Sequence, residues 1–126
     1  MILGFKERFV TPILSGTKIH TIRADTHNRW KAGNKIHFAT GIRTPQYKQF
    51  HEGVCTSVEP ILLCNVQGSV VVYIDEVWKY VIEKLTANDG LSYNEFRDWF
   101  VPNNGDEFTG KIIHWTDFRY KEQDNE

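Results

Sequence analysis

The densest apolar stretches, residues 54–66 and 69–77, are rich in Val, Ile and other β-favouring residues and meet at Gln67-Gly68, which predicts a long hairpin. Residues 2–5 form a short apolar run suited to a first strand. Over residues 18–23, Ile19, Thr21 and Arg23 alternate with Lys18, His20 and Ile22, as on a strand. Further strands are predicted at 35–40, after the turn Gly33-Asn34, and at 111–118. Helical spacing enters in three places. Phe9, Val10, Ile13 and Leu14 share one face of a short helix over 7–14, limited by Pro12 and stopped at Ser15-Gly16-Thr17, where Gly16 is free to turn left-handed. Residues 81–87 read as a second helix, ending at Asn88-Asp89-Gly90. A third starts at Ser92, with Glu95 three residues later as a capping box and Phe96, Trp99 and Phe100 on its inner face. Residues 41–53 mix cationic and aromatic side chains without periodicity and predict a loop over the site.

This order implies a mainly β fold with short helices (α+β): a partly closed antiparallel sheet with helices packed at its opening, and no βαβ series. With 126 residues, 40% of them hydrophobic, the chain suits one core. We expect one domain over residues 1–118 and a charged, frayed tail over 119–126. The N-terminal residues lack the pattern of a secretory signal, and no run approaches the roughly 18 apolar residues of a membrane span, so no membrane partner is expected. Cys55 and Cys64, with no CxxC and no histidine at ligand spacing, predict buried thiols in a reducing, cytoplasmic setting. No HxH or HExxH pattern is present, and neither a metal nor a cofactor is expected.

Charge changes this picture, because it is unevenly spread. Through His51 there are nine Lys or Arg against Glu7 and Asp25; the rest of the chain holds six against fourteen Asp or Glu. A net charge of −1 therefore hides a basic first half and an acidic second half. Either the halves neutralise each other in the fold, or a basic face is left for phosphates.

The stretch from Ile13 to Arg23, an apolar helix end, a small residue with Gly16, then Lys18 and the strand Thr21-Ile22-Arg23, resembles the signature of ASCH domains, relatives of the PUA fold. Three further matches follow in order: Lys31-Ala32-Gly33-Asn34 entering a strand, Asn88-Asp89-Gly90-Leu91 between helices, and Ile113-His114-Trp115-Thr116 in the last strand. The resemblance implies a PUA-like, partly open antiparallel β-barrel with a nucleoside or RNA ligand in its cleft. It is similar to the small bacterial acetylcytidine amidohydrolases, which use a Lys, a Thr and a Glu; Lys18 and Thr21 fall on the first two, and Asp89, one methylene shorter, on the third.

Physical reasoning about the same residues gives the possible chemistry. The turn at Gly16 and Thr17 brings hydroxyls, backbone N–H groups and Lys18 together as a cradle for a phosphate or carbonyl oxygen. A partly buried lysine has a lowered pKa, so Lys18 could serve as general base to the hydroxyl of Thr21; alternatively Lys18 is a solvated turn residue and Thr21 an ordinary strand former. Arg23 shares a strand face with Thr21 and suits a bidentate clamp on phosphate, or an ion pair with the acidic half. His20 would face away from Thr21, in a packing or surface role rather than a catalytic one. Arg29, Lys31 and Arg43 are candidate phosphate contacts, and Tyr47, Phe50 and Trp30 candidate base-stacking rings, whereas Trp78, Trp99 and Trp115 are expected in the core. Three functions fit: an amidohydrolase of an acylated cytidine-type nucleoside, a non-catalytic RNA-binding module, or a metal-independent ribonuclease in which Tyr47 helps stabilise the phosphorane.

Overall fold

The computed structural model describes residues 1–102 and 106–121, and the fold is mainly β with three short α-helices. A three-stranded sheet holds β1 (Ile2–Gly4), β3 (Lys35–Thr40) and β4 (Lys48–Val54) in the order β1-β3-β4. A five-stranded antiparallel sheet runs β2-β8-β5-β6-β7, built from β2 (His20–Arg23), β5 (Ser57–Val66), β6 (Ser69–Ile74), β7 (Val77–Lys79) and β8 (Glu107–His114). The strands thus form two sheets, with no closed barrel among the described residues.

The predicted hairpin is β5–β6, turned by Gln67 (φ 52°) and Gly68 (φ 85°), the paired positive φ of a type I′ turn. Its partner strand β8 covers the other edge of β5 in antiparallel register from Ser57↔His114 to Cys64↔Glu107. Pro60 pairs with Lys111 of β8 but turns its backbone polar groups to the β6 side, where its carbonyl accepts from Asp75 N–H at 2.9 Å and the β5–β6 ladder begins only at Ile61, so its missing N–H costs no rung with β8. Every second residue of β5 and β6, from Glu59 to Asn65 and from Val70 to Ile74, points into the core, where Ile61, Leu63, Val72 and Ile74 meet Leu85 and Phe96 from the helices.

Three expectations need correction. Residues 41–53 are not one loop: 48–54 form β4, antiparallel to β3, and the bulge between Phe38 and Ala39 places Phe50 against Phe5 and Phe38, at ring-centroid distances of 6.4 and 6.2 Å. The first sheet is also not purely antiparallel, because β1 and β3 pair in parallel. Fraying does not begin at Arg119 either. Tyr120 is fully buried, and Glu59 accepts the backbone N–H groups of Tyr120 and Lys121 at 3.0 and 2.9 Å; the remainder of that tail lies outside the described residues.

Helix α1 (Val10–Ser15) follows a 3-10 turn at Glu7–Phe9 and carries Pro12 in its first turn, where a missing N–H is harmless; Gly16 (φ 86°) ends it. Helices α2 (Ile82–Asn88) and α3 (Tyr93–Phe100) are joined across Asp89 and Gly90, and the Ser92/Glu95 capping box starts α3 as expected. Of the two cysteines, Cys55 is buried and Cys64 half-buried, and both are free.

Close approach of β8 to β2 depends on Gly110. A Cβ there would lie 2.6 Å from the backbone oxygen of Arg23 and 2.6 Å from the Phe108 ring. Gly110→Ala is therefore expected to destabilise the fold by about 1–3 kcal/mol, read as a lowered midpoint in urea unfolding; an unchanged midpoint would show that β2 yields freely.

Candidate functional site

Strand β1 and the 3-10 turn that ends at Phe9, Lys18 and strand β2, residues 42–47, the α2–α3 junction and the end of α3 surround a cleft of about 890 Å³, within the range of small-molecule sites. Its position follows from local sequence. Gly16 reverses the chain after α1, and Ile19 N–H bonds to the Asn88 carbonyl at 2.9 Å, which ties the entry to β2 against the end of α2. Lys18 is thereby aimed at Asp89.

Lys18 is 2% exposed and Asp89 3%. The Lys18 ammonium donates to the Asp89 backbone oxygen at 2.7 Å and to its Oδ1 at 2.9 Å. It also lies 4.8 Å from the Phe9 ring centroid and 5.8 Å from that of Phe5. Burial pushes the Lys18 pKa below the ordinary lysine value against the opposing pull of Asp89, which favours the neutral amine more than water would. Gly90 takes a left-handed backbone (φ 79°) that favours glycine, and the lysine stem passes close beside it: a Cβ there would stand in van der Waals contact, 3.4 Å from Lys18 Cδ.

Thr21 is buried and lines the same cleft. Its oxygen accepts a 3.1 Å hydrogen bond from Arg23 Nε, while Arg23 Nη2 donates to the Gly4 carbonyl at 2.7 Å and the guanidinium sits 5.1 Å from the Phe5 ring. The arginine is held by backbone and ring, and among the described residues the ion pair expected as its alternative does not form. Lys6, Arg43 and Tyr47 complete the mouth, with Asp89 the sole carboxylate lining it among the described residues. Arg43 holds a left-handed backbone (φ 62°), a conformation uncommon for a non-glycine residue.

Of the sequence-predicted site residues, Lys18, Thr21, Arg23, Arg43, Tyr47 and Asp89 converge on this cleft. Gly16, Thr17, Arg29 and Lys31 are exposed and do not line it. The backbone cradle expected at the turn is not available, because the N–H groups of Thr17 and Lys18 donate to the Pro12 carbonyl at 2.9 and 3.0 Å and that of Gly16 to Ile13. The halves neutralise each other in part, through Arg8–Glu95 at 2.6 Å in addition to Lys18–Asp89, whereas Lys111–Asp25 at 3.2 Å crosses in the opposite sense.

Several residues of the site carried no clear signal. Phe5, Phe9 and Lys6 read as parts of a first strand and helix. Trp99, expected inside, is 46% exposed at the cleft rim, with its ring 6.0 Å from Phe9 and the Lys6 ammonium 4.9 Å above it. Trp78 is likewise exposed, and Trp30 is buried in the core and so withdrawn from stacking. His20 is fully buried and reaches the site from behind: its Nδ1 lies 3.3 Å from Asp89 Oδ1 and its Nε2 2.6 Å from the Tyr120 hydroxyl. Alternation placed His20 off the Thr21 face but could not reveal those partners. Among the described residues no group of three or more His, Cys, Asp and Glu side chains gathers as a metal site would require, and no helix is long and apolar enough to cross a membrane. Comparison with protein-family models, with curated proteins and with solved structures finds no match for this chain.

Proposed function

We propose that the cleft is the nucleoside-binding site of an ASCH-like domain with PUA-like ancestry, and that its floor removes an acyl group from a cytidine-type base. The observation that carries this reading is the convergence of Lys18, Thr21 and Asp89, all nine-tenths buried or more, at one cleft whose walls are aromatic. Phe9, Trp99 and Tyr47 offer ring faces for a base, each such contact being worth about 1–3 kcal/mol. The Asp89 carboxylate suits a base N–H, and Arg23 and Arg43 suit a ribose phosphate.

Chemistry then follows from proton positions. Arg23 Nε already donates to the Thr21 oxygen, so the hydroxyl hydrogen is free to leave. Thr21 Oγ1 attacks the acyl carbon as neutral Lys18 takes its proton; the C–N bond breaks, the nucleoside amine leaves with that proton, and water hydrolyses the threonine ester. Asp89 orients the lysine and the leaving nitrogen. A second reading, an RNA-binding module without turnover, is favoured by the three cations Lys6, Arg23 and Arg43 at a cleft with one carboxylate, itself paired with Lys18.

Hydrolysis of acetylcytidine by the wild type, Thr21→Ser and Thr21→Val separates the two. Release of cytidine by wild type and the serine variant, with kcat lower by about 10³-fold or more in the valine variant, is the expected result. No turnover by a folded wild type that binds short RNA with steep salt dependence would overturn the hydrolase in favour of the binding module.

A further inference from the structure

Behind the cleft floor lies a closed circuit of polar side chains that the reaction above does not use. Asn88 Nδ2 donates to the Tyr120 hydroxyl at 3.0 Å, that hydroxyl is 2.6 Å from His20 Nε2, and His20 Nδ1 faces Asp89 Oδ1 at 3.3 Å. Asn88 and Asp89 are neighbours at the end of α2, so the ring starts and finishes on one turn of backbone. Only one assignment of hydrogens satisfies every member. Tyr120 accepts from Asn88 and therefore donates to Nε2, which leaves the single ring proton of a neutral His20 on Nδ1, directed at the carboxylate.

We infer that His20 and Tyr120 are positioning residues, an interior relay that fixes the Asp89 carboxylate so that Oδ1 is shared by Lys18 and His20 while Oδ2 is left for the ligand. This rests on the cleft reading, in which Asp89 meets the substrate. The groups facing the His20 ring are Asp89 and Asn88 from the end of α2, Lys18 ahead of β2, His114 on β8 at 5.6 Å between ring centroids, and Tyr120. Burial holds His20 below the ordinary histidine pKa against the pull of Asp89, which keeps the ring in the neutral form the circuit requires. Burial likewise raises the Tyr120 hydroxyl, so it stays a donor across the working range.

The relay makes two separate demands on experiment. By nitrogen-15 NMR of the full chain without ligand, His20 should carry its proton on Nδ1; an Nε2-protonated ring would overturn the inference whatever the cleft binds. In acetylcytidine hydrolysis, His20→Asn, whose amide stands where Nδ1–H stood, should keep kcat within about threefold of wild type, whereas His20→Leu and Tyr120→Phe lower it about 10–100-fold with KM little changed. Equal losses in the asparagine and leucine variants, or an unaltered kcat in a folded Tyr120→Phe, would reduce the pair to packing. Should His20→Leu fail to fold, Tyr120→Phe and His20→Asn decide. A wild type that hydrolyses nothing defeats the reaction, and the NMR result then decides the relay alone.

Discussion

Lys18→Met is expected to lower stability by about 3–5 kcal/mol, the usual loss when one partner of a buried ion pair is removed and the other is stranded. The methionine fills most of the space of the lysine stem between Phe9 and Gly90, so the loss reports charge rather than a cavity. What remains is the Asp89 carboxylate, 4% exposed in its side chain, with His20 as its one remaining side-chain partner among the described residues. Urea unfolding at neutral pH measures the change, and adding Asp89→Asn in the same chain should recover more than half of it, because a neutral amide no longer requires a counter-charge. A loss below about 1 kcal/mol would mean that the cleft already hydrates the carboxylate and that the pair is tuned for chemistry with little bearing on folding. If the proposed reaction holds, hydrolysis in the folded fraction should vanish in either case, since among the described residues no other amine touches Asp89.

The pair was half legible beforehand. Lys18 stands at a turn that Gly16 forces, and Asp89 precedes a glycine between two helices, so each was visible locally; the contact between them joins residues 71 apart. Local signals also carried the hairpin and the capping box, where the deciding atoms lie within a few residues of each other. Strand β4 left no such trace. Its side chains, from Lys48 to Val54, are exposed or half-buried, so it has no apolar face to alternate with a polar one, and it is a strand because its backbone pairs with β3. The parallel β1–β3 pairing and the reach of Tyr120 back to His20, 100 residues away, are equally non-local. Trp99 misled for a different reason: its spacing on α3 does face inward, but toward the open cleft and not the closed core.

Glu59→Ala should prove as damaging as the loss of Lys18, by about 3–5 kcal/mol, although Glu59 lies outside the cleft. Its carboxylate, 2% exposed on the central strand β5, accepts from His114 Nε2 at 2.6 Å and from the backbone N–H groups of Tyr120 and Lys121. Removing it strands three donors at once and frees the segment that carries the Tyr120 hydroxyl, so hydrolysis should fall together with stability. Burial by itself would raise the Glu59 pKa, but these hydrogen bonds outweigh it and hold the group below its ordinary value of 4.5. The unfolded chain then binds the proton first as pH falls. The stabilisation is complete above the ordinary glutamate value and is lost as pH drops through the lower folded-state value. Urea midpoints between neutral and strongly acidic pH should therefore fall steeply for wild type and less steeply for Glu59→Gln, which has no charge to lose. Parallel curves would assign the acid sensitivity to other carboxylates, such as Asp25, whose pKa is also lowered: burial opposes the shift, and the backbone N–H groups of Arg29 and Trp30 and the Lys111 ammonium outweigh it. A common fall in midpoint and turnover for Glu59→Ala would show that one carboxylate, by fastening residues 120 and 121, sets both the closing of the fold and the aim of Asp89.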